Sequence, residues 1–250
     1  MNPYLKNLNK IEFVLTSACT GACRHCSQGD HTKSGKCLSP HLAVHVIQKV
    51  TSHFPIQTVM VFGGEPLLFP EATAEILSAA REAGVPHRQL ITNGYFAKSE
   101  EKLQSAVNAL AKSGVNDLLL SVDAFHQETI PLDRVRAFAL LSKEAQIPLR
   151  LQPAWLLSPG DPNPYNQKTR EILDTLQKDG FAENSGNVIF PEGNAKKYLA
   201  EYFTDFIPEN PYREDPADLR TLSVDPDGIL LGQSLHEKSV LQILEEYHPK

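Results

Sequence analysis

The chain has 250 residues, of which 41% are hydrophobic and 22% charged, and its formal net charge is -6. That balance is ordinary for a globular protein with one sizeable core, and it excludes a protein that holds nucleic acid mainly by neutralising phosphates, which needs clustered Lys and Arg. No apolar run approaches the roughly 20 residues of a membrane-spanning helix, and the start Met1-Asn2-Pro3-Tyr4-Leu5-Lys6 lacks the apolar stretch of a signal peptide, so a cytoplasmic protein with neither membrane nor nucleic-acid partners is expected.

In chain order, strand-like and helix-like segments alternate. Ile11 to Thr16 reads as a first strand, and Cys19, Cys23 and Cys26 follow it with the spacing C-x3-C-x2-C. Ser39-Pro40 is a cap followed by proline at the first helical position, with Leu42, Val46, Ile47, Val50 and Phe54 on one helical face. Thr58 to Phe62 is a second strand, ending in Gly63-Gly64-Glu65-Pro66. A helix over about 70–83, a strand at Gln89 to Thr92 and a helix from about Ser99, with Leu103, Val107 and Leu110 facing inward, come next. Strand four is Asp117 to Val122, then a helix from about Asp133 to Ala145 leads to strand five, Pro148 to Gln152. A proline-rich loop from Leu156 to Tyr165, a helix from about Gln167 to Lys178 and a last strand at Asn187 to Phe190 complete the alternation, which argues for parallel strands joined by right-handed crossovers.

Two domains are expected: a core over 1–205, then a linker and tail over 206–250. The linker is the proline-rich, acidic stretch from Phe206 to Leu219. The tail is a hairpin from Leu222 to Leu231 with an Asp-Gly turn, closed by a helix with Val240, Ile243, Leu244 and Tyr247 on one face.

Clustered thiolates hold iron–sulfur clusters, and three at this spacing leave one iron of a four-iron cluster without a protein sulfur. An open coordination position is where metal chemistry happens. Zinc is the rival reading, with His25 or Cys37 as fourth ligand, although structural zinc sites usually come as two separated ligand pairs. Gly63 and Gly64 allow close backbone approach to a ligand, and the turn after them exposes peptide groups and the Glu65 carboxylate.

The cysteine spacing with Gly63-Gly64-Glu65-Pro66 resembles the radical S-adenosylmethionine (SAM) superfamily, in its MoaA/SPASM-like subgroup. Thr92-Asn93-Gly94 is similar to a turn found at the third strand of many members. The resemblance covers roughly 11–195 and implies an α/β fold, a partial (β/α)6 TIM-like barrel with parallel strands, plus a short C-terminal hairpin-helix extension. It also implies a single [4Fe–4S] cluster on Cys19, Cys23 and Cys26, with SAM as the second cofactor. Gly63, Gly64, Glu65, Pro66 and Asn93, with Ser121, Asp123 and Gln152 at the ends of strands four and five, are the implied cofactor-binding set.

In such enzymes an electron from the cluster splits SAM into methionine and a 5′-deoxyadenosyl radical that attacks a C–H bond. No catalytic residue is identified beyond one candidate: Cys37 is either a buried inert thiol or a hydrogen-atom donor. His126 is either a hydrogen-bonded structural residue or an acid–base group. Phe190 to Ala195 resembles a Gly-Arg-Ala element of relatives, with Asn194 where arginine is commoner. The tail is similar to a shortened SPASM-type tail without cysteines, which tilts the substrate toward a peptide or protein side chain, modified for example by epimerisation or cross-linking. Activation of a glycyl-radical enzyme, a small-molecule substrate, and a non-catalytic iron–sulfur or zinc protein are the alternatives. A low-potential donor such as flavodoxin or ferredoxin is the implied electron partner.

Overall fold

The structure, a computed structural model, describes residues 2–32 and 35–249. Strand β1 (Lys10–Val14) buries Ile11 and Phe13 and leads through the cysteine loop to α1 (Pro40–Thr51). Helix α1 starts as read: Ser39 accepts from the Leu42 N–H, Pro40 occupies the first position, and Val46, Ile47 and Val50 are buried. Then come β2 (Thr58–Phe62), α2 (Pro70–Glu82), β3 (His87–Thr92), α3 (Glu100–Ser113) and β4 (Asp117–Ser121). Helix α3 stops at Gly114, whose φ of 79° is the left-handed conformation that ends helices.

A short helix, α4 (Ala124–Gln127), stands where a loop was expected, because Asp123 caps it. It precedes α5 (Leu132–Glu144), β5 (Leu149–Gln152) and β6 (Ala154–Trp155). Helix α6 (Pro164–Gln177) begins earlier than expected, at an Asn163 cap. The proline-rich loop before it is pinned by buried Asn166, whose side-chain amide donates to the carbonyls of Leu156, Ser158 and Asp161. The chain continues through β7 (Ala182–Glu183), β8 (Asn187–Val188) and α7 (Gly193–Tyr198) to β9 (Thr221–Val224), β10 (Ile229–Leu230), β11 (Gln233–Ser234) and α8 (Val240–Glu245).

The main sheet has the order β11-β10-β9-β1-β2-β3-β4-β5-β7, with β1 to β5 and β7 parallel. This is the expected α/β architecture, a partial barrel of parallel strands that does not close: β7 and β11 remain edges. The last strand differs from expectation. Position six belongs to β7, while Asn187–Val188 pairs with Ala154–Trp155 in a separate two-stranded sheet. Pro153, which has no N–H for the ladder, breaks the strand after Gln152, and the residues beyond it find a different partner.

The C-terminal hairpin also does more than append itself. Its first strand, β9, lies parallel to β1, with Ile11 opposite Leu222. Leu222, Val224, Leu230, Val240, Ile243 and Leu244 enter the same apolar cluster as Ile11, Val59, Leu90 and Leu118. Among the described residues, no helix is long and apolar enough to cross a membrane. Because Leu222 is fully buried beside β1, Leu222→Ala is expected to lower unfolding free energy by about 3 kcal/mol, the usual loss for a truncated core leucine, as measured by urea denaturation followed by circular dichroism.

Candidate functional site

The cysteine loop has little secondary structure of its own, so its shape is set by what grips it. On one side the ladder between β1 and β2 runs on past both strands. The Leu15 N–H donates to Phe62 O (2.8 Å), the Gly64 N–H to Thr16 O (2.8 Å) and the Glu65 N–H to Ala18 O (2.7 Å). A Cβ on Gly64 would overlap the Ala18 carbonyl, and one on Gly63 would lie 2.6 Å from Thr16 O at a backbone φ of 139°. Both glycines are thus required by the loop's own backbone.

On the other side, the Asn194 N–H donates to Cys26 O (2.8 Å) and its side-chain amide to Cys23 O (3.3 Å). Gly193, at φ 53°, lies where any side chain would collide with the carbonyls of Ser27 and Cys26. Gly193 and Asn194 grip the loop from the end of the chain's parallel run, a role the sequence signalled only through the Gly-Asn pair after Phe190.

Between these grips lies a cavity of about 120 Å³ lined by the three cysteines. Facing them are Gly63 and Gly64 from the end of β2, Asn93 from the end of β3 and Ser121 from the end of β4. Seven of the expected site residues therefore share one cavity at the carboxyl ends of the parallel strands. The other candidates lie elsewhere. Glu65 is fully buried, and its carboxylate accepts from the Leu67 N–H (2.9 Å), the Thr92 hydroxyl (2.7 Å) and the Asn93 N–H (2.8 Å), which ties the end of β2 to that of β3 rather than facing a ligand. Burial holds this carboxyl up at about 7 against those donors.

Pro66 opens the buried turn that follows, and its carbonyl accepts from Thr73 Oγ1. Gln152 accepts from the Asn184 amide at the edge of β5. Cys37 bridges to Thr16, donates to Leu38 O and packs against the main core outside the cavity.

Asp123 is fully buried and saturated: Oδ1 accepts from the N–H groups of Phe125 and His126, and Oδ2 from the Ala154 N–H (3.1 Å) and His126 Nδ1 (2.7 Å). His126 is thereby fixed as a cavity-lining ring beside His25, with centroids 4.7 Å apart. His25, Asp123 and His126 hold potential ligand atoms within 4.8 Å of one another, but the Asp123 oxygens are already spent on four donors. His31, absent from the expected set, also lines the cavity. Its Nδ1 donates to Ser17 O (2.8 Å) and its Nε2 lies 3.1 Å from Cys26 Sγ.

The electrostatics suit a metal cluster. Burial pushes the Cys19 thiol up to about 11 and Cys23 further still, with Asp123 and the neighbouring cysteines adding to the effect at Cys23. Burial raises Cys26 most, but the hydrogen bond and charge of His31, with the Gln28 backbone and His126, together outweigh it and leave this thiol below its ordinary value. Three sulfurs facing one cavity, two of them poor thiolates by themselves, become a good ligand set only when a cation supplies the compensating charge. The donor set fits an iron–sulfur cluster held by three thiolates.

Two tests follow from this geometry. Gly64→Ala is expected to leave a folded protein that loses most of its iron after anaerobic reconstitution, because the new methyl displaces the Ala18 carbonyl; iron analysis and circular dichroism together read this out. Asp123 gives a pH signature. Burial acts to raise its carboxyl, but His126 outweighs that and holds it at about 2 rather than 3.8. A lowered pKa contributes stability that is complete above about pH 4 and is lost as pH falls toward 2, here about 2 kcal/mol. The stability gap between wild type and Asp123→Asn in urea titrations should narrow by that amount across this window.

Comparison with known proteins agrees with the fold. A family model described as the radical SAM superfamily matches residues 13–192. A probable GTP 3′,8-cyclase from Metallosphaera sedula is 29% identical over 126 residues, covering 50% of this chain and 37% of that protein, and one from Sulfolobus acidocaldarius is 29% identical over 120 residues, 48% and 37% of the two chains. Among solved structures, Streptococcus suis SuiB bound to S-adenosylmethionine superposes with a TM-score of 0.62 at 15% identity over 97% of this chain and 66% of its own. His-tagged anSMEcpe with bound AdoMet gives 0.62 at 14% identity over 95% and 77%. The chain thus spans well under half the length of the curated relatives it matches. The family's cofactors are a [4Fe–4S] cluster and SAM, and the described cavity has a ligand set of the right kind for them. The chain belongs to the radical SAM superfamily of enzymes.

Proposed function

We propose that this protein holds a [4Fe–4S] cluster on Cys19, Cys23 and Cys26 and uses it to cleave SAM for hydrogen abstraction from a substrate. The observation that carries the reading is the convergence of the three cysteines with Gly63, Gly64, Asn93 and Ser121 on one cavity. The cluster, when bound, supplies the electron that breaks a C–S bond of SAM and so generates a carbon radical.

The chain's own residues bind and orient. Gly63 and Gly64 offer backbone carbonyls that accept no hydrogen bond among the described residues and are suited to an ammonium. Ser121 offers a hydroxyl to a ribose or carboxylate. Asp123 and Glu65 act through others, Asp123 by fixing His126 and Glu65 by fixing Asn93. Gln152 and Pro66 support the strand ends, and Cys37 is a hydrogen-atom donor only if substrate reaches it from outside the cavity.

The substrate class proposed is a peptide or protein side chain. Support comes from the likeness of the fold to SuiB, one structure of which is bound to its precursor peptide SuiA, and to anSMEcpe, solved with peptides. A second reading, a small-molecule substrate, is favoured by the sequence match to probable GTP 3′,8-cyclases. Under either reading residues 1–205 form the catalytic core, 206–250 extend its sheet beside β1, a flavodoxin or ferredoxin delivers the electron, and the protein works in the cytoplasm.

The test is anaerobic reconstitution with iron and sulfide, followed by SAM and a strong reductant. Formation of 5′-deoxyadenosine that disappears in the Cys19→Ala, Cys23→Ala, Cys26→Ala triple variant is the expected outcome. A fully loaded wild-type cluster whose spectrum is unchanged by SAM would instead point to a non-catalytic protein.

A further inference from the structure

We propose that Asn93 sets the reduction potential of the cluster, by donating its side-chain amide to the Cys19 sulfur. The inference rests on the cluster reading given above and concerns a residue so far placed only in the wall of the cavity.

The geometry leaves the amide little choice. Asn93 is buried, with 5% of its surface exposed, and follows directly on β3. Its backbone N–H is held by the Glu65 carboxylate (2.8 Å), which is itself fixed by Leu67 and Thr92. Its Oδ1 accepts from the Tyr95 N–H (2.8 Å). That bond decides which end of the amide is oxygen, so the NH2 end must face the cysteine loop. There Nδ2 lies 3.6 Å from Cys19 Sγ, within reach of the large sulfur atom, and 3.1 Å from Thr20 Oγ1. Two amide hydrogens meet two acceptors. Cys19 receives its other donor, the Gly21 N–H at 3.4 Å, from its own loop. Asn93 therefore brings a second strand's donor to this sulfur.

Adding an electron to an iron–sulfur cluster places more negative charge on its thiolates. An N–H dipole aimed at one of them stabilises the reduced form more than the oxidised one and raises the potential. A merely structural Asn93 would act only through the turn it makes with Tyr95 and Thr20. The two roles separate experimentally, because Thr20→Val removes the amide's other partner without removing the donor to sulfur. Asn93→Ser keeps an acceptor for the Tyr95 N–H and removes the amide N–H groups.

Wild type, Asn93→Ala, Asn93→Ser and Thr20→Val are reconstituted anaerobically and titrated with mediators, the reduced cluster being followed by electron paramagnetic resonance. Both Asn93 variants should shift the midpoint potential negative. A tenfold change in the reduction equilibrium would read as 59 mV for one electron. Thr20→Val should stay at the wild-type value. Resonance Raman of the iron–thiolate stretch should change in the Asn93 variants alone. Unshifted potentials in loaded Asn93 variants would overturn the proposal, as would a Thr20→Val shift as large as that of Asn93→Ala. If Asn93→Ala does not fold, Asn93→Ser carries the test, since it keeps a neutral acceptor for the turn and lacks the amide donor, whereas an aspartate's charge lowers the potential by itself. A folded wild type that takes up no cluster overturns the cluster reading, and this proposal with it.

Discussion

The continuation of the β1–β2 ladder into the cysteine loop is the constraint on which the site depends. Two backbone bonds, from Gly64 to Thr16 and from Glu65 to Ala18, extend a parallel pairing beyond the ends of both strands. The first residues of an otherwise irregular loop thereby inherit the rigidity of the sheet. The approach is so close that side chains are excluded at Gly63 and Gly64. The same fact shapes the cavity: a strand end stripped of side chains, packed against the loop that carries the thiols, forms part of its wall.

A second layer converts that arrangement into a fixed cavity. The Glu65 carboxylate is removed from water and given three donors, and so clamps the end of β2 to the end of β3. A buried carboxylate left with fewer donors would cost several kcal/mol, so this clamp is conditional on all three bonds forming together. Asp123 does the same at the end of β4, joining the first turn of α4 to Ala154 and orienting His126. Two acidic residues at strand ends thus look like ligand contacts in the sequence and serve as internal fasteners in the structure. Their neighbours Asn93 and His126 are among the polar residues that do line the cavity.

Much of the architecture was legible because it follows from local rules. Ser39-Pro40 begins a helix, and the buried runs Val59 to Val61 and Leu118 to Leu120 are strands covered on both faces. The misreadings have equally local causes. The short α4 was hidden because a helix of four residues has no periodicity to detect, and only the Asp123 cap signals it. The sixth strand was misplaced because pairing partners are non-local: Pro153 diverts the chain, and Asn187–Val188 joins β6 instead of the main sheet.

The sequence by itself determined the chemistry of the site and the order of the elements. Thiol spacing and a Gly-Gly strand end are covalent facts, and hydrophobic period follows from helix and strand geometry one residue at a time. Only the tertiary structure decided which polar groups face the cavity and which turn inward, that Gly193 and Asn194 hold the far side of the cysteine loop, and that β9 completes the sheet beside β1. Those outcomes depend on partners far apart in the chain, 171 residues for Asn194 and Cys23 and further still for β1 and β9, and nothing in a local pattern encodes which distant donor a buried oxygen will find.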